Sequence, residues 1–161
     1  MDRNIYKIII DTLENCSLRD NYKNEDNHLQ PHLKELIDNT FEKNGMENCE
    51  VKISRGRGNI PFINLLSSSF WPDIEVCHNG KPIIAIEVKL AKSLPGNLTD
   101  ALGKCMIYKL KYKYVIGFLD ARTAPKESWR YEYDDAFWKM VADLAKNNIY
   151  IIIKNNVPYH N

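Results

Sequence analysis

The 161-residue sequence predicts an α/β sandwich, in which a central mixed β-sheet is flanked by helices. Three observations predict it: two helical patterns open the chain, a β-hairpin pattern lies at its middle, and helical and strand-like patterns alternate afterwards. A hydrophobic content of 44% is typical of a globular protein, and this length is enough for one core. The sequence therefore predicts a single domain over residues 1–161.

The elements before the hairpin are predicted from apolar spacing and from residues that stop helices. A first helix covers Ile5 to Glu14, and a polar loop follows it. A second helix begins near Asn27, because Pro31 is tolerated only in a first turn, and it ends at Asn44-Gly45. A short strand is predicted from Glu50 to Ser54, followed by a segment rich in Gly and Ser.

The elements after the hairpin alternate between the two periodicities. Helices are predicted over Leu98 to Lys111 and Glu132 to Lys146, and strands over Lys113 to Leu119 and Ile149 to Ile153. The predicted order is therefore α-α-β-β-β-α-β-α-β.

The hairpin reads FWPDIEVCHNGKPIIAIEVKLAKS from Phe70 to Ser93. A two-residue Asn79-Gly80 loop would split the apolar residues of its arms between two faces. A three-residue loop that starts at His78, with Gly80 left-handed, pairs Cys77 with Lys81 and unites them. The united apolar residues are Ile74, Val76, Ile84, Ile86 and Val88. The same register gathers the charged residues of both arms on the opposite face: Asp73, Glu75, Glu87 and Lys89.

Clustered charge on one face of a hairpin has two interpretations. Two or three carboxylates on neighbouring strands suit a hard divalent cation such as Mg²⁺, and a nearby lysine can stabilise developing negative charge. A hairpin with one solvated, charged face explains the same spacing equally well.

The motif Trp71-Pro72-Asp73, followed by Ile86-Glu87-Val88-Lys89, resembles the PD-(D/E)XK nuclease superfamily. The flanking order of helix, strand, hairpin, helix and strand is also similar, over about Glu25 to Asp120. The resemblance implies a restriction-endonuclease-like fold for the sandwich. It makes residues 1–24 an N-terminal helical extension and residues 121–161 a C-terminal helix-strand addition.

The resemblance also implies roles for individual residues. Asp73 and Glu87 would ligate the catalytic metal, the backbone carbonyl of Val88 would complete its inner shell, and Lys89 would assist the attacking water. Lys104 occupies the helix position from which a glutamine or lysine of the family points at the active site. The implied cofactor is Mg²⁺, with Mn²⁺ as the alternative. The implied activity is phosphodiester hydrolysis in DNA, with an endonuclease favoured over an exonuclease.

Family members often add an acidic residue from the helix before the first strand, and two positions compete for that role. Glu35 points away from the apolar stripe of its helix. Glu25 lies near the edge of that stripe if the helix extends backwards, so Glu25 is preferred as the further metal ligand. A carboxylate that merely favours the positive start of a helix explains Glu25 equally well.

Local basic residues are available for phosphate contacts, although the net charge is only +1. The predicted DNA-binding residues are Arg55, Arg57, Lys109, Lys111 and Lys113. The segment Arg55 to Gly58 is equally typical of a polar turn, and Tyr108 is predicted to pack in the interior. A catalytically inactive nucleic-acid-binding or assembly module of the same fold is the alternative to the enzyme.

Other features of the sequence bear on location and partners. The four cysteines lie far apart and predict neither a zinc ribbon nor a disulfide framework. The longest apolar runs are strand-sized, and the first residues lack a signal-peptide cleavage site, so a cytoplasmic protein without a membrane partner is expected. An aromatic group within Trp129 to Trp138 is predicted to pack, and any exposed part of it would serve a homodimer interface.

Overall fold

A five-stranded mixed sheet lies between two layers of helices in the computed structural model of the chain. The structure describes residues 1–19, 22–54, 60, 62–125 and 135–155, and every structural statement below refers to these ranges. The helices are α1 (Asp2–Asn15), α2 (Gln30–Lys43), α3 (Leu94–Tyr108) and α4 (Asp135–Lys146), with a π-helical turn (Glu25–Leu29) before α2. The strands are β1 (Cys49–Ile53), β2 (Ile63–Leu65), β3 (Ser68–Phe70), β4 (Ile74–His78), β5 (Lys81–Leu90), β6 (Tyr114–Asp120) and β7 (Ile149–Lys154).

The strand order of the main sheet is β1-β4-β5-β6-β7. The pairs β1–β4 and β4–β5 are antiparallel, whereas β5–β6 and β6–β7 are parallel and are connected through α3 and α4. The predicted α/β class, with a mixed sheet flanked by helices, is confirmed. The separate hairpin of β2 and β3 was not predicted, because strands of three residues are too short to show alternation.

The predicted register of the β4–β5 hairpin is wrong, although the predicted faces are right. Asn79 and Gly80 form a two-residue turn with φ values of 51° and 72°, so Lys81 pairs with His78 and not with Cys77. A β-bulge then inserts Ile83, because Cys77 pairs with Pro82 and the next pair joins Val76 to Ile84. Because of this extra residue, the even-numbered residues of β4 again pair with even-numbered residues of β5, so both sets lie on one face.

One face of the sheet forms a core with α1 and α2. The even-numbered apolar residues of β4 and β5 are fully buried there, as predicted: Ile74, Val76, Ile84, Ile86 and Val88. Ile9 and Leu13 of α1 and Leu33 and Ile37 of α2 are also 0% exposed. The segment that resembled an extension, α1, is therefore part of this core.

The opposite face packs closely against α3 because its residues are small. Ala85 of β5 lies in one cluster with Ala101 and Cys105 of α3. A Cβ on Gly117 of β6 would come within 2.8 Å of Ile151 Cδ1 and within 3.3 Å of Cys105 Sγ. This close approach brings the polar side chains of α3 within hydrogen-bonding distance of β5.

Helix α3 starts and ends at different positions from those predicted, and the predicted start of α4 at Glu132 lies outside the described residues. Helix α3 begins at Leu94 with a proline in its first turn and ends at Tyr108. Of the predicted aromatic group, Trp129, Tyr131 and Tyr133 lie outside the described residues, and Trp138 of α4 is 45% exposed.

All four cysteines are free thiols. Across the described ranges, no helix combines the length and the apolar character that crossing a bilayer requires.

Candidate active site

Strands β4 and β5 separate at one end of the sheet, and two carboxylates occupy the gap. The last pair of the ladder joins Ile74 to Ile86, while β5 continues to Leu90. Beyond this pair, the N–H of Val88 donates to Asp73 Oδ2 at 2.7 Å, and the N–H of Leu90 donates to Glu25 Oε2 at 2.8 Å. Because a strand residue directs its N–H and its C=O to the same side, the Val88 carbonyl faces the same gap.

Glu87 lies on the α3 face of β5 and is 0% exposed. Its Oε1 accepts from Lys104 Nζ at 2.7 Å and lies 3.0 Å from Lys89 Nζ. Its Oε2 accepts from the Tyr108 hydroxyl at 2.7 Å. The buried carboxylate is therefore surrounded by two ammonium groups and a hydroxyl, which is the condition for burying such a charge.

Tyr108 connects both halves of the hairpin motif. Its hydroxyl lies 2.8 Å from the carbonyl oxygen of Trp71 and 2.7 Å from Glu87 Oε2. Both partners are acceptors, and a phenol has one proton, so the hydroxyl is shared between them. The chain that leads into Asp73 is thereby fixed relative to Glu87.

Asp100 of α3 belongs to the same group of charges and was missed in the sequence. Its Oδ2 lies 3.1 Å from Lys89 Nζ and 3.8 Å from Lys104 Nζ. The signal that could have revealed it is its spacing, because Asp100 precedes Lys104 by one helical turn on the same face.

Glu25 reaches this group, whereas Glu35 does not. Glu25 Oε1 lies 3.8 Å from Lys89 Nζ. Glu35 pairs with Arg19 at 2.9 Å, and both side chains are more than half exposed. The π-helical turn starts at Glu25 and so extends the helix backwards, which is the condition under which the sequence favoured this residue. The carboxylate–lysine cluster is defined here as Glu25, Asp73, Glu87, Lys89, Asp100 and Lys104.

Burial and mutual repulsion disturb the titration of this cluster. Burial, followed by the charge of Glu87, raises the pKa of Asp73 well above its usual range, and the Val88 amide opposes this only in part. Burial also raises the pKa of Glu25. For Lys89, burial disfavours the charge, but Glu87, Glu25 and Asp100 more than offset it and raise its pKa above the usual lysine value.

The ionised cluster carries an excess of two negative charges, because four carboxylates face two ammonium groups. A divalent cation would neutralise that excess. Among the described residues, no three Asp, Glu, His or Cys side chains converge as a metal-binding group. Asp73, Glu87 and the Val88 carbonyl are the oxygen groups here that could hold a cation, and Mg²⁺ suits so small a set because it retains several waters.

Glu75 shares the predicted face but belongs to a separate group. It is 1% exposed, and it accepts from the Tyr112 hydroxyl at 2.6 Å and from Cys77 Sγ at 3.4 Å. Its position on β4 opposite Ala85 keeps it two residues along the sheet from Glu87.

The three lysines predicted to bind DNA lie at the other end of the sheet. Tyr114 pairs with Ile84, which is about 16 Å from Lys89 at ~3.3 Å per residue. Lys109 donates to the carbonyl of Lys113 at 2.6 Å, and Lys113 pairs with Asp2 at 3.1 Å. Lys111 lies 5.8 Å from the centre of the Tyr112 ring. The structure does not bring these lysines to the cluster.

The two predicted arginines, Arg55 and Arg57, lie outside the described residues. Ser54, the last described residue before them, donates its N–H to the carbonyl of Asp73 at 2.9 Å.

Comparisons with known proteins give no relative: no family model, no curated protein and no solved structure matches the chain.

Proposed function

We propose that this chain is a metal-dependent nuclease of the PD-(D/E)XK type that hydrolyses phosphodiester bonds in DNA. The observation that carries the proposal is the end of the β4–β5 hairpin, where Asp73 accepts from the Val88 N–H and the neighbouring Glu87 lies 3.0 Å from the ammonium group of Lys89. Because Glu87, Val88 and Lys89 lie on β5 and Asp73 immediately precedes β4, the sheet holds their relative positions.

The architecture supports the same proposal. Helix α2, strand β1, the β4–β5 hairpin, helix α3 and strand β6 follow one another in the order that the resemblance implies. The mixed sheet between helices is compatible with a restriction-endonuclease-like fold, and that finer classification is part of the proposal.

The cluster is suited to a divalent cation by its charge and by the chemistry of its donors. Asp73, Glu87 and the Val88 carbonyl are hard oxygen ligands, with Glu25 adjoining Asp73 along the same strand edge. Mg²⁺, or Mn²⁺ in its place, would supply Lewis-acid polarisation of the phosphate oxygens.

Lys89 acts as a cation in this proposal and not as a base. Its three carboxylate neighbours hold its pKa high, and its side chain is 13% exposed, so it stays protonated at neutral pH. In hydrolysis, water adds to phosphorus and one P–O bond to a sugar breaks. Lys89 is placed to stabilise the negative charge that develops in this step. Lys104 orients Glu87 from the α3 side.

A second candidate function is a non-catalytic DNA-binding or assembly module of the same fold. The observation that favours it is the saturation of Glu87, whose two oxygens already contact Lys89, Lys104 and Tyr108. A network of this kind is also found where a buried charge is purely structural.

The deciding experiment is cleavage of labelled DNA in duplex, flap, junction and single-stranded forms, with Mg²⁺, Mn²⁺ or Ca²⁺, and with RNA as a further substrate. Asp73→Ala should abolish cleavage. The matched control is Glu75→Gln, which changes a buried carboxylate on the same face that also accepts from a tyrosine. Folded Glu75→Gln protein should cleave within a few-fold of the wild type.

Two results would contradict the enzyme. If the wild type binds DNA but cleaves none of these substrates with any metal, the module is the better interpretation. If Asp73→Ala and Glu75→Gln lower cleavage equally, the cluster is not where the reaction occurs.

A further inference from the structure

A cleft of about 360 Å³ is lined by residues of the π-helical turn, of α2 and of the segment before the turn. Its volume is within the range of small-ligand sites. Most of the side chains that line this cleft have N–H or O–H groups that can donate hydrogen bonds: Arg19, Tyr22, Lys23, Asn27, His28 and His32. Among its described lining residues, Glu35 is the one carboxylate, and it pairs with Arg19 in an exposed salt bridge.

A chain of hydrogen bonds fixes the proton of His32. The backbone N–H of Arg19 donates to the Tyr22 hydroxyl oxygen at 2.9 Å, so the Tyr22 hydroxyl donates in turn to His32 Nδ1. Burial, followed by the charge of Arg19, lowers the pKa of His32, and the neutral ring therefore carries its proton on Nε2. His32 lines the cleft, is 7% exposed and has its one N–H donor in a fixed tautomer.

Arg122 holds the wall of this cleft against the sheet. Its guanidinium group bonds to both oxygens of Asp120, at 2.9 and 3.0 Å, and to the carbonyl of Arg19 at 2.9 Å. It also lies 5.7 Å from the centre of the Tyr22 ring. The wall is thus a supported part of the fold.

The cleft and the carboxylate–lysine cluster lie at the same end of the sheet. Asp120, which anchors the wall, pairs with Leu90, and the N–H of Leu90 bonds to Glu25 of the cluster. The π-helical turn that supplies Glu25 also supplies Asn27 and His28 to the cleft. A DNA strand that runs from the cluster across this π-helical turn would reach the cleft.

We propose that the cleft binds a phosphate group of the DNA strand that is cleaved at the cluster, and this inference rests on the proposed function. Arginine and lysine are frequent donors to phosphate oxygens, and a neutral imidazole N–H can donate to them as well. When all four of its carboxyls are ionised, the cluster carries excess negative charge and repels phosphate without a cation, so the cleft supplies the attraction that the cluster lacks. An incoming phosphate takes the place of Glu35 beside Arg19, which costs little because that salt bridge is exposed.

The test is binding of a ten-nucleotide single strand in Ca²⁺, with a 5′-phosphate, with a 3′-phosphate or with neither. The variant Arg19→Gln/Lys23→Gln should bind about tenfold more weakly than the wild type. The matched control, Arg3→Gln/Lys7→Gln, removes the same two charges from exposed positions of α1 and should bind within about twofold. A loss confined to one phosphorylated strand identifies a terminal phosphate, and an equal loss for all three strands identifies an internal one.

A second measurement does not depend on the charge variants. In ¹⁵N-histidine NMR spectra, titration with inorganic phosphate should shift the Nε2 signal of His32 and leave His78, which pairs with Asp2, unchanged. Equal weakening in the two double variants, or an unchanged His32 signal together with wild-type binding by Arg19→Gln/Lys23→Gln, would overturn the proposal.

The experiments distinguish an error in the phosphate-binding proposal from an error in the proposed nuclease function. Asp73→Ala protein should not cleave DNA but should retain the phosphate-dependent binding. If the wild type cleaves no substrate while Arg19→Gln/Lys23→Gln still loses DNA affinity, the nuclease proposal is wrong and the phosphate-binding proposal stands. If Arg19→Gln/Lys23→Gln binds DNA like the wild type while the wild type cleaves DNA, the phosphate-binding proposal is wrong and the nuclease proposal stands.

Discussion

Both oxygens of Glu87 already have partners in the structure, and a cation that binds Oε1 must compete with two ammonium groups. Lys89 and Lys104 both contact Oε1, at 3.0 and 2.7 Å. Under the proposed function these lysines compete with the metal for one oxygen. The same lysines that keep the buried carboxylate stable without metal therefore weaken its affinity for metal.

Replacement of Lys89 should separate catalysis from metal binding. Lys89→Ala should lower single-turnover cleavage by ~10²-fold or more, because a charge stabiliser of the transition state is lost. Its Mn²⁺ affinity, measured by calorimetry, should rise, since a competing cation is gone. Lys92→Ala, at an exposed position three residues later, is the control and should change neither quantity. Equal losses of cleavage and DNA affinity in Lys89→Ala would make this lysine a simple phosphate contact.

The ionised carboxylate of Asp73 should lower the free energy of unfolding at neutral pH. Because its folded-state pKa is raised, stability falls as the pH rises from the usual aspartate pKa, about 3.9, through the raised value. Asp73→Asn keeps an acceptor for the Val88 N–H and removes the charge. In chelator, its free energy of unfolding at pH 7.5 should exceed that of the wild type by about 1 kcal/mol.

The advantage of Asp73→Asn should shrink towards pH 4, where the folded-state carboxyl is protonated and about half of the unfolded-state carboxyls are protonated as well. Denaturant unfolding at the two pH values measures it. Asp143→Asn, at an exposed residue paired with Lys146, should be neutral within about 0.5 kcal/mol at both. An Asp73→Asn protein less stable than the wild type at pH 7.5 would contradict the raised pKa.

Helix α3 and the turn after it supply one tyrosine to each buried glutamate of the sheet. Tyr108 donates to Glu87 and Tyr112 donates to Glu75, and both tyrosines are 1% exposed. The two pairs are similar in distance and burial, but only the first adjoins the gap between β4 and β5. They form a natural comparison between positioning and packing.

Tyr108→Phe and Tyr112→Phe should therefore differ in activity but not in stability. Each leaves a buried carboxylate oxygen without its donor, which costs about 1–3 kcal/mol of unfolding free energy. Tyr108→Phe should also lower single-turnover cleavage about tenfold or more, with a weakened Mn²⁺ dependence, because Glu87 and the Trp71 carbonyl are no longer fixed together. Similar cleavage by the two variants would make Tyr108 a packing residue.

The elements show which parts of the fold the sequence determines locally. Alternation placed Ile86 and Val88 on one face and Glu87 and Lys89 on the other correctly, because side-chain parity is a property of each strand alone. It failed to give the partners of each residue, because a shorter turn and a bulge at Ile83 change the register without changing the parity. The position of Asp100 beside Lys89 also depends on how closely α3 approaches the sheet, which the sequence does not state directly.

At the scale of the whole molecule, the segments that resembled additions contribute to the main layers. Ile5, Ile9 and Leu13 of α1 are at most 2% exposed, and β7 pairs with β6 along six residues. Resemblance was confined to the middle of the chain, so it carried no information on how the outer segments pack. Their apolar spacing did predict their secondary structure.

The participation of α1 in the core can be measured at one position. Ile9→Ala should lower the free energy of unfolding by about 2–5 kcal/mol, because it leaves a cavity in a fully buried site. Lys7→Ala, on the exposed side of the same helix, should change it by less than about 0.5 kcal/mol. Urea unfolding compares the two, and a near-neutral Ile9→Ala would show that α1 is peripheral.

The two lysines that contact Glu87 also determine whether the chain needs a metal ion to stay folded. They are counter-ions that the chain carries with it, so its most deeply buried acid needs no dissolved ion for neutralisation. A metal that merely replaces resident counter-ions can leave without unfolding the chain, unlike the zinc of a small zinc finger. Under the proposed function, the chain would therefore stay folded without the metal and become active again when the metal returns.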